Sequence, residues 1–268
     1  MAAQVDGQRI RVGTAGWAIP RAAAPRFDTG GTHLERYARA FGCVEINSSF
    51  YRPHAFATYA RWSDSTPPDF RFSVKLPREI THELELRRSG PLVERFLAET
   101  SGLGMKLGPI LVQLPPSAAF DSRVAHRFFS HFRSRHTGAI ACEPRHPSWF
   151  TDTVARLLSG YQVARVAADP PMAPGGDAPN AWDGLAYYRL HGSPRTYWSA
   201  YGVERIELLA GALDAGTATE LWCIFDNTAA GAAIEDAAEL QRRMVPRPGN
   251  RFPAGTRDAG RDPALQRT

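Results

Sequence analysis

Almost every apolar run in this chain ends in a polar or charged residue. Glu45 and Asn47 end CVEINSS, Lys75 ends FRFSVK, Gln113 ends ILVQ, and Glu143 and Arg145 end IACEPR. Asp169 ends VARVAAD, Arg189 and His191 end YYRLH, and Asp226 and Asn227 end CIFDN. Strand-like runs of this kind, spaced by helix-like segments, predict a barrel of parallel strands. Such a barrel collects the C-terminal ends of its strands on one rim and carries its chemistry there. The pattern therefore locates a site more sharply than it names a reaction.

The strand-like runs fall at 9–17, 43–50, 70–76, 109–114, 139–145, 162–169, 185–191 and 220–226. Helical patterning covers 32–41, 58–64, 91–103, 122–134, 151–158, 203–215 and 229–243. Eight strand–helix units of this size predict an α/β fold, a single (β/α)8 TIM barrel over residues 1–243. An open doubly wound sheet is the alternative architecture, but no G-x-G-x-x-G opens a helix and no Walker A lysine is present. Alternation along the strands supports the barrel. Glu45 and Asn47 oppose Val44 and Ile46; Ser73 and Lys75 oppose Phe72 and Val74; Ala141, Glu143 and Arg145 oppose Ile140 and Cys142. Tyr187, Arg189 and His191 oppose Tyr188 and Leu190, and Arg165, Ala167 and Asp169 oppose Ala164, Val166 and Ala168. The more polar face of each strand is assigned to the barrel interior.

Composition adds limits. With 43% hydrophobic and 22% charged residues the chain has an ordinary globular make-up. No apolar run approaches the ~20 residues that span a bilayer, and MAAQVDGQRI has no secretory-signal pattern, so a bacterial, cytoplasmic protein without membrane contact is expected. Cys43, Cys142 and Cys223 lie far apart inside apolar runs, as buried free thiols do. The net charge of +5 suggests a nucleic-acid partner until it is located. Five arginines against two acids in residues 244–268 supply most of it. That Pro-, Gly- and Arg-rich stretch is predicted to be a disordered basic tail, which makes nucleic acid a secondary candidate partner.

Several blocks together carry a resemblance. They are VGTAGW (12–17), VEINSSFYR (44–52), FRFSVKLPREITH (70–82), LGPILVQLPPS (107–117), EPRHPSW (143–149), YYRLHG (187–192) and FDNT (225–228). In this order the chain resembles the DUF72 (YecE-like) family of uncharacterised (β/α)8-barrel proteins. The resemblance implies the barrel and supplies no reaction. The family often has a Tyr- and Trp-containing segment after the first Gly-Trp, whereas residues 18–30 here are rich in Ala and Pro.

The rim residues are then the candidates for chemistry. Glu45 and Glu143, inward by parity, can act as general acid and base or be held in buried ion pairs by Arg145, Arg189 or Lys75. Lys75 is one of only two lysines among 32 basic residues, so a compact ammonium suits its place better than a guanidinium, to hold an anion or to form a Schiff base. Arg145 and Arg189 match carboxylate and phosphate geometry. His191 joins Glu45, Glu143 and Lys75 as catalytic candidate, and Gly192 lets backbone N–H groups approach an anion. Asn47 and Asn227 add amides to the substrate site. Trp17, Tyr51, Trp149 and Tyr197 are placed there to stack on a ring or to cap the mouth. Glu45, Glu143, Asp169, His191 and Asp226 are material for a metal, although no residue is assigned as a ligand, and no cofactor is identified.

The leading expectation is an enzyme, or a ligand-binding barrel, for a small anionic compound of phosphorylated or carboxylated, sugar-like type. The alternatives are a metal-dependent phosphodiesterase or nuclease, and a non-catalytic nucleic-acid-binding protein led by the tail. Substrate, reaction and oligomeric state are not indicated.

Overall fold

The computed structural model of the chain describes residues 3–5 and 8–244. The basic tail expected over residues 244–268 lies outside the described residues except for Met244, which ends the last helix and is buried. The strands are β1 (Ala3–Val5), β2 (Gln8–Thr14), β3 (Cys43–Ile46), β4 (Arg71–Lys75), β5 (Leu107–Gln113), β6 (Ile140–Glu143), β7 (Val163–Arg165), β8 (Ala167–Asp169), β9 (Leu185–Leu190) and β10 (Glu220–Phe225). The helices are α1 (His33–Ala40), α2 (Phe56–Asp64), α3 (Gly90–Thr100), α4 (Ser122–Arg133), α5 (Asp152–Gly160), α6 (Val203–Asp214) and α7 (Ala232–Met244).

Two five-stranded sheets form, in the orders β1-β2-β10-β9-β8 and β3-β4-β5-β6-β7. All pairings are parallel except the short hairpin of β1 with β2. The sheets meet at two seams. At one, Ala15 bridges to Glu45 in parallel, and Gly16 N–H donates to the Glu45 carbonyl at 2.8 Å. At the other, the chain passes through Val166, whose N–H reaches the Cys142 carbonyl at 2.9 Å, before β8 pairs with β9. Counting β7 and β8 as one bent strand gives the eight strands of the expected TIM barrel. At the first seam the backbones come close: a Cβ on Gly13 would lie 2.3 Å from the Cys43 carbonyl oxygen, so only glycine fits there.

Two apolar layers hold the barrel. Cys43, Leu111, Ala141, Ala164, Val166, Leu185, Tyr187, Trp222 and Ile224 fill its interior. Their strand neighbours Val44, Phe72, Val74, Ile110, Cys142, Tyr188 and Leu190 point outward against the helices. This is the period-2 alternation of barrel strands. The helices start where side chains satisfy free N–H groups. Thr32 and Glu35 form a reciprocal capping box on α1, while Asp121 caps α4 and Thr151 caps α5.

Three expectations need correction. The first strand ends at Thr14, so Trp17 lies on the loop that follows. The count of eight strand–helix units is one helix too many: seven α-helices, at the seven places patterned for them, accompany the eight barrel strands among the described residues, because no α-helix lies between β8 and β9. The parity of the bent strand is also the reverse of that assigned. Ala164 and Val166 face inward, while Arg165 sits over the Phe150 ring at 4.9 Å and Asp169 pairs with Arg205 of α6 at 2.7 Å. The interior at this level is occupied by Tyr187 stacked on Trp222, with ring centroids 6.1 Å apart, which leaves room for small side chains only.

Candidate functional site

The interior polar residues converge at the C-terminal mouth of the barrel. Arg189 of β9 stands at the centre and has no solvent exposure (0%). Its Nε and Nη2 donate to Glu45 Oε2 and Oε1 at 3.0 and 2.7 Å, and Nη1 donates to Glu143 Oε2 at 2.8 Å. Nη2 also pairs with Asp226 Oδ2 at 3.1 Å. Below it, the Tyr187 hydroxyl bonds Glu45 at 2.9 Å and Ser73 Oγ at 2.8 Å. Burial without such partners would cost each charge several kcal/mol. Three carboxylates gathered on one guanidinium answer that cost, and Glu45 has no exposed surface left for a ligand.

His191 lies above this cluster. Its Nδ1 is 3.0 Å from Asp226 Oδ2 and its Nε2 is 2.9 Å from Glu143 Oε1. Arg145 donates from Nη2 to Glu143 Oε1 at 3.0 Å, and the same nitrogen stands 3.1 Å from His191 Nε2. Two proton states fit this geometry. A neutral imidazole donates from Nδ1 to Asp226 and accepts at Nε2 from Arg145. An imidazolium donates from both nitrogens to the two carboxylates. Burial alone would lower the His191 pKa, but Glu143 and Asp226 outweigh it and raise it. Burial in turn would raise Glu143, yet Arg189, His191 and Arg145 hold it well below the usual carboxylate range. Asp226 is lowered in the same way, with Arg189 and His191 overcoming burial.

Lys75 differs from all of these. It is 6% exposed, and its ammonium makes no hydrogen bond or ion pair among the described residues. It lies 4.0 Å over the ring of Phe50. Burial, then the charge of Arg189, lowers its pKa to about 8 against the pull of Glu45, Glu143 and Asp226. Its neighbours on the adjoining strands are similar. Gln113, buried at the end of β5, has an amide with no partner among the described residues, and Asn47 Oδ1 is buried and unbonded. His82, edge-on to Phe50 at 4.9 Å, is lowered to about 4 by burial and by Lys75, Arg78 and Arg145. It sits on a π-helical turn, Glu79–Glu83, a form that recurs at functional sites.

A cavity of about 70 Å³ opens beside His191, lined also by Glu143, Arg145, Ala168, Met172 and Thr196. Tyr197 packs against two of the residues that line it, His191 and Arg145. Its φ of 68° is left-handed, its N–H bonds the His191 carbonyl, its ring meets the imidazole at 5.6 Å, and its hydroxyl is 3.4 Å from Arg145 Nη1. A non-glycine residue held at positive φ is costly and is a common mark of functional loops.

The remaining candidates make their contacts elsewhere. Trp17 packs edge-on against Trp62 at 5.0 Å. Trp149 is buried against Phe120 and donates to the Ala118 carbonyl at 2.9 Å. Tyr51, 75% exposed, rests edge-on against Phe50. Asn227 donates to Ser199 O and to Asp236, tying down the loop after β9. The Gly192 N–H, expected to face an anion, is given to the Tyr201 hydroxyl at 2.8 Å. Gly192 serves instead for close packing, since at φ 94° a Cβ would lie 2.8 Å from Ser199 O. The material for a metal also arranges itself differently: Asp169 points outward to Arg205, and the other carboxylates converge on Arg189. Among the described residues no group of three His, Cys, Asp or Glu side chains is placed to hold an ion. Cys43 is buried with its thiol pushed up to about 12 by burial. Two strand-ending residues carry more than the sequence pattern assigns them. Asp226, expected there only as material for a metal, orients His191, and Gln113, without an assigned role, shares the inward parity of Leu111.

Comparison with known proteins bears on fold and family. The model of the family described as "Protein of unknown function DUF72" matches residues 11–257. UPF0759 protein YecE of Escherichia coli is 35% identical over 167 residues, 60% of this chain and 59% of that protein, so the chain spans about six-tenths of that relative. UPF0759 protein YunF of Bacillus subtilis is 23% identical over 205 residues, 70% of this chain and 72% of the other. A solved DUF72 family protein of Enterococcus faecalis superposes with a TM-score of 0.74 at 22% identity, covering 88% of this chain and 95% of that one. One from Thermotoga maritima gives 0.72 at 24%, covering 87% and 98%. At these identities the two structures speak for the fold alone. No helix among the described residues is long and apolar enough to cross a membrane.

Proposed function

This chain belongs to the DUF72 family, and for its barrel mouth we propose acid–base chemistry on a small anionic, sugar-like compound. The observation that carries the reading is the Lys75 ammonium, buried at the mouth without a counter-ion while every other buried charge around it is paired. A buried charge without a partner is costly, and a bound phosphate or carboxylate removes that cost. Arg145, joined to Glu143 on one side and reaching Tyr197 on the other, offers the second cation. The amides of Asn47 and Gln113 suit hydroxyl groups, and Phe50, Tyr51 and Tyr197 supply ring surface.

In this reading His191 moves the proton. Asp226 fixes its Nδ1, and Nε2, beside the cavity, carries the proton exchanged with substrate while Glu143, kept as the carboxylate, stabilises the imidazolium. Arg189 and Glu45 are positioning residues: they anchor Glu143 from below and touch no ligand. Trp17, Trp149 and Asn227 support the loops. The three buried free thiols suit a reducing, cytoplasmic compartment.

The test is a thermal-shift series with inorganic phosphate, sugar phosphates, sugar acids and divalent metals. Ligands that bind the native state raise the midpoint by mass action. At least one anion is expected to raise it by several degrees, on the order of 2–3 kcal/mol at a hundred-fold excess over Kd. The rise should vanish in Arg145→Ala and in Lys75→Met. A rise that survives both substitutions sinks the reading, and a response to metals alone moves it to the metal-dependent phosphodiesterase.

A further inference from the structure

The chain's two lysines provide an internal contrast. Lys106 donates to Ser63 O at 2.5 Å, Thr66 O at 2.7 Å and Thr66 Oγ1 at 3.3 Å. Those bonds point its ammonium protons into a loop and leave no free direction for reaction. The Lys75 ammonium makes no such bond, sits at the end of a barrel strand in the mouth, and rests against an aromatic face. Arg189 keeps a fixed positive charge close to it, as cationic neighbours do for amines that must stay reactive.

From this placement the geometry points to Lys75 as a nucleophilic amine that forms a Schiff base with a carbonyl group of the anionic ligand. The inference rests on the anion reading of the same mouth and narrows the ligand to a 2-oxo acid or a sugar phosphate in its open carbonyl form. In the step, the Nζ lone pair attacks the carbonyl carbon and a C–N bond forms. The C–O bond then breaks, both amine hydrogens pass to the departing oxygen, and one water leaves. No oxidant or metal enters the balance. Glu143, whose charge acts on the Lys75 ammonium, and the His191 bonded to it are the groups assigned to relay the protons that the carbinolamine gives and takes.

The protonation state supports the step. An amine of pKa about 8 is about one quarter neutral near pH 7.5, against about 0.1% for an ordinary lysine. The groups that set it are Arg189 on β9, Glu45 on β3, Glu143 on β6 and Asp226 after β10; His82, on the turn that follows β4, is itself lowered to about 4, in part by Lys75, and stays neutral where the amine titrates. Of these, the carboxylates favour the ammonium, and burial and Arg189 oppose it.

The experiment is borohydride trapping on the full chain with pyruvate, glyoxylate, dihydroxyacetone phosphate and glyceraldehyde 3-phosphate as separate probes. The hydride reduces the imine to a stable secondary amine, which peptide mass mapping locates. At least one probe is expected to label Lys75 tenfold or more over Lys106, and Lys75→Arg should lose that label. Absence of a Lys75 adduct with every probe, or equal labelling of the two lysines, overturns the inference. Lys75→Arg keeps the charge, so a phosphate-induced thermal shift that persists in it while trapping is lost assigns the amine a chemical role. A wild-type phosphate shift without trapping leaves the anion reading standing and removes the Schiff base. Trapping without any anion shift supports the amine and removes the anion reading.

Discussion

The two halves of the barrel mouth handle buried charge in opposite ways. Around β6, β9 and β10, with Glu45 reaching in from β3, the polar groups satisfy one another: Arg189 meets three carboxylates, and His191 links two of them. With His191 protonated, three carboxylates there face three cations. On β3, β4 and β5 the strand ends present Asn47, Lys75 and Gln113, whose polar atoms lack partners. A paired cluster holds its own geometry without help from a ligand and so can keep catalytic groups in place. An unpaired set is costly until something else completes it, which is the signature of a binding surface. The difference assigns the first half to chemistry and the second to recognition.

The largest effect should come from breaking the paired half. Arg189→Met leaves Glu45, Glu143 and Asp226 buried together without their shared cation. Removal of one partner from a buried ion cluster costs about 3–5 kcal/mol. Urea unfolding should show a loss of that order, or the variant should not fold. A loss under about 1 kcal/mol would mean that the three carboxylates readily take up protons and that the guanidinium does not hold them together.

How much of this contrast the sequence carries depends on the strand. In β9, Tyr187, Arg189 and His191 alternate with Tyr188 and Leu190, and parity alone sends the right residues inward. In the bent strand the charged residues Arg165 and Asp169 share the face that packs outward, so the polar contrast points the wrong way. The TIM barrel was readable because it rests on alternation and on eight repeats of one pattern. Pairing within the mouth was not readable. Whether Arg189 reaches down to Glu45 or up to a ligand depends on which strands lie across the barrel, a distance of 144 residues along the chain. Trp149 follows a strand end as Tyr197 does, yet one is buried against Phe120 and the other is 40% exposed over His191. Loop path separates them, and no local pattern encodes it.

The unpaired half should respond with the opposite sign. Lys75→Met removes a charge that is buried at a cost, so it should stabilise the fold by about 1 kcal/mol near neutral pH. The pH dependence sharpens this. The folded pKa, about 8, lies below the ordinary unfolded value of about 10.4. Between those two values the unfolded chain binds the extra proton, so wild-type stability rises with pH across that window. The advantage of Lys75→Met should therefore shrink as pH climbs from about 8 to about 10. Urea midpoints of the two proteins at several pH values test it, and destabilisation by the methionine would place an unrecognised partner on Lys75.

The smallest effect belongs to the link within the paired half. Glu143 and Asp226 raise the His191 pKa above its unfolded value. For a base raised in the native state, the added stability is complete below the unfolded pKa of about 6.5 and fades as pH rises through the folded pKa. Each unit of the raise corresponds to about 1.4 kcal/mol. Stability of the wild type should thus fall as pH moves upward from about 6.5, and His191→Gln, which keeps a donor but cannot titrate, should lack that part of the slope. Two-dimensional NMR of the imidazole gives the same quantity directly. A His191 that titrates below its unfolded value would show that burial wins over the two carboxylates. The proton would then be lost to solvent, with Nε2 accepting from Arg145 instead, and the acid–base assignment of this half would have to pass to another residue.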